Sequence, residues 1–237
     1  MDRARAFPTY RGLRPLRNRG YLWTRTVDQR GGSCVAVWAA QRDLSPNHIT
    51  LGNLAFGLLA SAAALALIRN GLPVAAGVTA LVGWQLAYVF DCADGQLARA
   101  TGTGSTEGAL LDVYCDFFVQ GGVITVTAWR GVEILPETIQ APAVGIAGVL
   151  FLSGPYMATL KSIKGVQAAA QGPGSRLIET ARLVRDYGLQ VAVFAIAIAI
   201  SADVAAGVLL LVLAQQLGWA AFQILRLAKA GSSKRTG

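Results

Sequence analysis

The chain has 237 residues, of which 54% are hydrophobic and only 14% charged, with a mean hydropathy of +0.47 and a formal net charge of +8. An ordinary soluble domain carries about 25% charged residues, so the composition excludes a water-soluble globule, and its apolar richness excludes a disordered chain. What remains is an integral membrane protein whose basic excess fits flanks facing anionic lipid rather than nucleic acid.

Residues 1–18 are Arg-rich and carry Pro8 and Pro15, which oppose a helix, so they read as a disordered basic arm. Residues 1–30 lack the apolar core of a cleavable signal peptide. Residues 19–43 mix Tyr21, Leu22, Trp23, Val27, Val35, Val37 and Trp38 with Arg25, Asp28, Gln29 and Arg30. That pattern predicts one or two amphipathic helices on the cytoplasmic membrane surface, broken near Gly31-Gly32. Asn47 ahead of an apolar run has the form of a helix N-cap.

A spanning helix needs about 20 mostly apolar residues. Six stretches qualify as candidates: 50–68, 73–90, 108–129, 143–160, 188–202 and 204–225. The expected fold is therefore all-α, a polytopic membrane protein with six transmembrane helices and an N-terminal cytoplasmic interfacial helix. Residues 44–228 form the six-span domain and 229–237 a disordered basic tail. With both termini inside, all of the 21 basic residues except Arg69 and Arg130 fall on the cytoplasmic side, a strong positive-inside bias. Cys34, Cys92 and Cys115 are too dispersed for a disulfide framework or a thiolate zinc site and read as small apolar helix residues.

The chemistry concentrates where the second span meets the third. Of only 13 acidic residues, four are Asp91, Asp94, Asp112 and Asp116. Asp91 and Asp94 are i,i+3, and Asp112 and Asp116 are i,i+4, so each pair shares one helix face. A short loop makes the two helices antiparallel neighbours, which lets the four carboxylates converge near one membrane surface. Four bare carboxylates in a low dielectric repel each other and demand cations. Hard oxygen ligands favour Mg²⁺ or Mn²⁺, and four carboxylates suffice for two ions about 3.5–4 Å apart. The small residues Gly95, Ala98 and Gly108 clear space for a bulky phosphorylated ligand, and the Arg99 fork suits a pair of phosphate oxygens. A transporter would place such carboxylates near the bilayer midplane, and a scaffold would have no use for them.

The run Asp91-x2-Asp94-Gly95-x2-Ala98-Arg99-x8-Gly108-x3-Asp112-x3-Asp116 resembles in full the signature of the CDP-alcohol phosphotransferases. The resemblance implies transfer of a substituted phosphoryl group from a CDP-linked alcohol to an acceptor hydroxyl, with release of CMP and a requirement for Mg²⁺ or Mn²⁺. It implies that Asp91, Asp94 and Asp112 are chiefly metal ligands, and that Asp116 is the general base and a further metal contact. It places Gly95, Ala98 and Gly108 near the cytidine and Arg99 near the donor phosphates. Pro46-Asn47-x2-Thr50 resembles a secondary family feature in which Asn47 and Thr50 line the nucleotide site; capping explains Asn47 as well. The commonest donor in such enzymes is CDP-diacylglycerol. The acceptor is a polar hydroxyl compound such as inositol phosphate, glycerol phosphate or inositol, or a second lipid. Lys161, Lys164, Arg182 and Arg185 are candidate ligands of an acceptor phosphate, although positive-inside anchoring also accounts for them. The reverse arrangement, a CDP-linked soluble alcohol donating to a lipid or polyol, satisfies the same motif. Family members resemble homodimers, and Gly145, Gly148, Ser153 and Gly154 permit close helix contact. The small size, Arg-rich arm and high Ala and Gly content fit a bacterial plasma membrane.

Overall fold

The computed structural model describes residues 9–13, 22–160 and 186–233, and every described element is helical. A helical turn at Tyr10–Leu13 precedes a π-helical turn at Thr24–Asp28 that runs directly into α1, Gln29–Ala40. Then come α2 (Pro46–Arg69), α3 (Pro73–Thr101), α4 (Thr106–Val132), α5 (Glu137–Leu160), α6 (Tyr187–Ile200) and α7 (Ala202–Ser233). The expected acceptor ligands Lys161, Lys164, Arg182 and Arg185 lie outside the described residues.

Three of these helices are long and apolar enough to cross a membrane: α2, α3 and α4, with 24, 29 and 27 residues. At 1.5 Å per residue they are about 36–44 Å long, enough for a hydrocarbon core of about 30 Å. No more than a third of each apolar window is buried, and Leu59, Val74, Val78, Leu110 and Phe118 are exposed, as lipid contact demands. The protein is therefore membrane-embedded.

The expected count of six spans is wrong; among the described residues the count is three. α6 has only 14 residues, about 21 Å. It is apolar because it is core: Val191, Phe194, Ala195 and Ile198 are buried against the bundle. A run of 10–14 apolar residues is more often a buried helix than a span, and hydropathy cannot separate the two. The remaining candidates fall on α5 and α7, whose described apolar stretches are Glu137–Phe151 and Ala202–Gly218.

Helix boundaries follow local chemistry. Ser45, in extended conformation, is the N-cap of α2, with Pro46 at the first helical position. Asn47 is thus inside the helix and is not its cap. Gly102, at φ +66°, ends α3 in the left-handed conformation that glycine adopts without penalty. Ser105 opens α4 by accepting from Gly108 N–H at 2.9 Å. Extended Ser201 separates α6 from α7, its hydroxyl accepting from Val204 N–H at 3.2 Å.

α2 is the central wedge. It packs extensively on both α3 and α4, while α3 and α4 barely touch each other. Close approach depends on glycine. A Cβ on Gly83 of α3 would overlap Ala60 of α2, and one on Gly57 of α2 would stand 2.6 Å from Val119 of α4. The core then fills with Trp84, Val123, Ile124, Phe151, Phe194 and Ile198. Trp84 Nε1 donates to Ser61 Oγ at 2.9 Å, so the largest buried side chain keeps its polar atom satisfied.

The expected helix forms as α1, and it is unbroken at Gly31-Gly32. Gly32 instead lets α1 lie against α3: a Cβ there would stand 2.9 Å from Cys92 Cβ and 3.1 Å from Ala93 N. Ser33, Ala36, Ala39 and Ala40 continue the buried face, while Leu22, Arg25, Val27, Arg30 and Trp38 are exposed. Arg42 stacks on Trp38, 4.7 Å from the ring centroid, an aromatic–cation pair suited to headgroup depth.

Gly83→Ala should therefore lower thermal stability in detergent by about 1–3 kcal/mol, the usual penalty of overpacking. Gly145→Ala on α5, where a Cβ meets nothing within 4 Å, should be neutral or slightly stabilising. Equal melting temperatures for the two variants would contradict the wedge geometry.

Candidate active site

The N-terminal half of α2 carries Asn47, Thr50 and Asn53 at intervals of three, one polar stripe on an otherwise apolar helix. Thr50 Oγ1 donates to Asp94 Oδ2 at 2.5 Å, and Asn53 Nδ2 donates to Asp116 Oδ1 at 3.1 Å. Both donors are almost completely buried. α2 thus holds one aspartate of each neighbouring helix by a directed hydrogen bond. Asn53 is absent from the sequence-derived site, although its spacing from Thr50 was a readable signal.

Asp91, Asp112 and Asp116 each turn one carboxylate oxygen to a common point, with these atoms within 4.8 Å of one another. Asp112 Oδ1 is buried and has no hydrogen-bond partner. Like charges at this separation in a low dielectric repel strongly unless a cation sits among them. The donor set is all oxygen, which fits a hard divalent cation. The cluster can coordinate a metal ion. Asp94 stands apart from this trio, tied to Thr50.

Beside the cluster opens a cavity of about 400 Å³, within the range of small-ligand sites. Its walls include Asn47, Thr50, Asp94, Gly95, Ala98, Arg99, Gly108 and Asp112. All eight were expected at the site; Asp91 and Asp116 lie outside this lining. Asp112 belongs both to the wall and to the aspartate trio, so it joins cavity and cluster. At the two glycines of the wall an added Cβ would press on polar side-chain tips rather than on backbone. A Cβ on Gly95 would stand 3.1 Å from Arg99 Nη1, and one on Gly108 would stand 3.1 Å from Asn47 Oδ1. The loop between α3 and α4 completes the rim with Gly102, Thr103, Gly104 and Ser105.

A polar clasp fixes the motif helix from the outside. Gln96 on α3 donates to Gln29 O and Gln29 Oε1, both at 3.0 Å, and accepts from Ser33 Oγ at 2.6 Å. Gln85 accepts from Trp23 Nε1 at 3.4 Å and donates to Gly188 O at 2.6 Å. Asp186, just before α6, accepts from Trp23 N–H at 2.8 Å and from Thr24 Oγ1 at 2.6 Å. The N-terminal segment, α3 and α6 are so bound into one unit. Asp28 is the exception. Its side chain is fully buried, and neither oxygen has a partner. Burial, with Asp186 as the second cause, pushes its carboxyl from 3.8 up to about 7.

The model of the CDP-alcohol phosphatidyltransferase family matches residues 43–227 of the chain. That interval holds every residue of the cavity wall and the aspartate trio. A comparison with curated proteins gives no match.

Asp28 makes a pH prediction. The native state keeps its proton up to about pH 7, whereas the unfolded chain loses it near pH 4. The unfolded state binds fewer protons across that window, so this group's contribution to stability falls as pH rises from about 4 to about 7 and then levels off. Asp28→Asn removes the ionisable group. It should melt several degrees above wild type at pH 8 and close to wild type at pH 4, as checked by thermal unfolding in detergent.

Proposed function

The chain belongs to the CDP-alcohol phosphatidyltransferase family and is a membrane-embedded CDP-alcohol phosphotransferase, and on that premise we propose that it transfers a phosphatidyl group from CDP-diacylglycerol to the hydroxyl of a small polar acceptor, releasing CMP. The observation that carries this reading is the junction at Asp112, where a nucleotide-sized cavity meets a cluster of metal-competent carboxylates.

In this reading the cavity takes the cytidine diphosphate. Gly95, Ala98 and Gly108 keep its walls bare, Asn47 and Thr50 line its α2 side, and Arg99 faces the diphosphate with its bidentate fork. Asp91, Asp94, Asp112 and Asp116 would hold two divalent ions, Mg²⁺ or Mn²⁺, which supply charge neutralisation for the diphosphate and for departing CMP. The acyl chains lie along the lipid-exposed residues of α4 that neighbour the cluster in sequence: Leu110, Val113, Tyr114, Phe117 and Phe118.

The chain's own chemistry is a proton transfer. The acceptor O–H attacks the phosphorus that bears the diacylglycerol group. The new P–O bond forms as the bond to CMP breaks, and the hydroxyl proton passes to the Asp116 carboxylate. Asn53, donating to Asp116 Oδ1, keeps that carboxylate aimed. Inositol phosphate, glycerol phosphate or inositol is the acceptor in this scheme. A phosphorylated acceptor draws its cations from Lys161, Lys164, Arg182 and Arg185. The enzyme works at the cytoplasmic face of a bacterial plasma membrane as a homodimer, for which outward-facing Gly145 leaves α5 a smooth surface.

The test is CMP release from radiolabelled CDP-diacylglycerol by purified protein in lipid with Mg²⁺, across a panel of acceptors. Release with one acceptor is expected. Removing the metal with EDTA should abolish it. Asp116→Asn should abolish turnover, a loss of about 10²–10⁴-fold, while donor binding partly survives; equal loss of donor binding would sink the base assignment. Silence across the panel, with release from CDP-choline, CDP-ethanolamine or CDP-inositol instead, would replace the lipid donor by a soluble one.

A further inference from the structure

A second, far smaller cavity adjoins Asp116. Asn53, Trp84, Tyr88, Tyr187 and Val191 share its lining with Asp116. Its space is about 10 Å³, close to that of a single water-sized sphere. The polar groups around it are mostly accounted for. Trp84 Nε1 donates to Ser61 and Asn53 Nδ2 donates to Asp116, while Tyr88 Oη stands 3.5 Å from Thr24 Oγ1, whose own proton is given to Asp186. Tyr187 is different: its hydroxyl is buried and has no partner.

The Tyr187 ring is not free to turn away. It packs edge-on against Tyr88, with centroids 5.1 Å apart and planes at 76°. Asp186, the preceding residue, is pinned by Trp23 and Thr24. Tyr187 lies near enough to Asp116 and Asp91 to interact with their charges. A buried hydroxyl facing no partner is rare unless a water or a ligand completes it. A buried water needs two to four polar partners, and this cavity offers Asp116, Tyr88 and Tyr187.

We propose that the small cavity holds one ordered water and that Tyr187 is a positioning residue for the reaction. Its hydroxyl donates to the water, and the water donates to Asp116. The carboxylate is then held by Asn53 and by the water together, which leaves its remaining lone pairs for the acceptor and the metal. This inference rests on the reading of Asp116 as the base.

Tyr187→Phe removes one oxygen and keeps the ring. It should lower kcat about tenfold, the usual effect of removing a group that orients a reactive carboxylate. The KM for CDP-diacylglycerol and the affinity for Mn²⁺ should stay within about twofold of wild type, because Tyr187 touches neither the large cavity nor the donor. Val191→Ile is the second variant. Its added methyl fills the small cavity and displaces the water without altering Tyr187, so it should reproduce the loss of kcat at unchanged KM. Wild-type kcat in either folded variant overturns the proposal. A higher melting temperature of Tyr187→Phe at wild-type kcat would identify the hydroxyl as an unsatisfied group with no role. Equal losses in kcat and donor affinity would also overturn it, by making Tyr187 part of general packing. Asp116→Asn separates the two readings. If it still turns over, the base assignment fails; if it is inactive while Tyr187→Phe is normal, only the water and Tyr187 fall.

Discussion

Mutual repulsion among buried carboxylates is the constraint on which the rest of this structure depends. Three aspartate oxygens within 4.8 Å of one another do not stay together unaided in a low dielectric. The fold answers from one side with α2. Thr50 binds Asp94 of α3, and Asn53 binds Asp116 of α4. From the other side a metal ion can answer, since the three converging donors are all oxygen and Asp112 also lines the large cavity. The wedge explains why α3 and α4 diverge although a short loop joins them. The space they leave is the cluster and its cavity.

Small residues make that arrangement possible at three scales. Gly57 and Gly83 bring α2 within van der Waals reach of both partners. Gly32 brings α1 onto α3 directly behind Cys92 and Ala93, one residue from Asp91 and Asp94. Gly95 and Gly108 clear the cavity itself. The Gln29–Ser33–Gln96 network then locks α1 to the motif helix, so α1 is structural support for the site. The apolar core, centred on Trp84, Phe151 and Phe194, lies beyond the cluster and anchors α6.

The site was largely legible in the sequence, because its spacings are those of a helix. Asp91/Asp94 at i,i+3 and Asp112/Asp116 at i,i+4 place carboxylates on faces without any knowledge of the fold. Asn47 and Thr50 fit the same logic, and both line the cavity. The fold was less legible, for physical reasons. α6 is as apolar as a span although one face of it, with Val191, Phe194, Ala195 and Ile198, packs into the protein core. The capping signal was misassigned because Ser45 and Asn47 are both good N-caps and Pro46 between them fixes the helix start. Gly31-Gly32 looked like a break because a glycine pair usually weakens a helix, yet here the missing side chain is what lets α1 dock. Asn53 extends the three-residue stripe of Asn47 and Thr50, whereas Tyr187 carries no motif and only contacts across helices single it out.

The central claim is that the aspartates of α3 and α4 form one divalent-metal site beside the large cavity. Electron paramagnetic resonance titration of Mn²⁺ into the protein in lipid, wild type beside Asp91→Asn, tests it most directly. The account predicts saturable binding of about two ions per chain, with a spin-coupled signal at the separation expected of a two-metal site that is lost in the variant. Equal Mn²⁺ affinity in both proteins, or no specific binding in either, would contradict it.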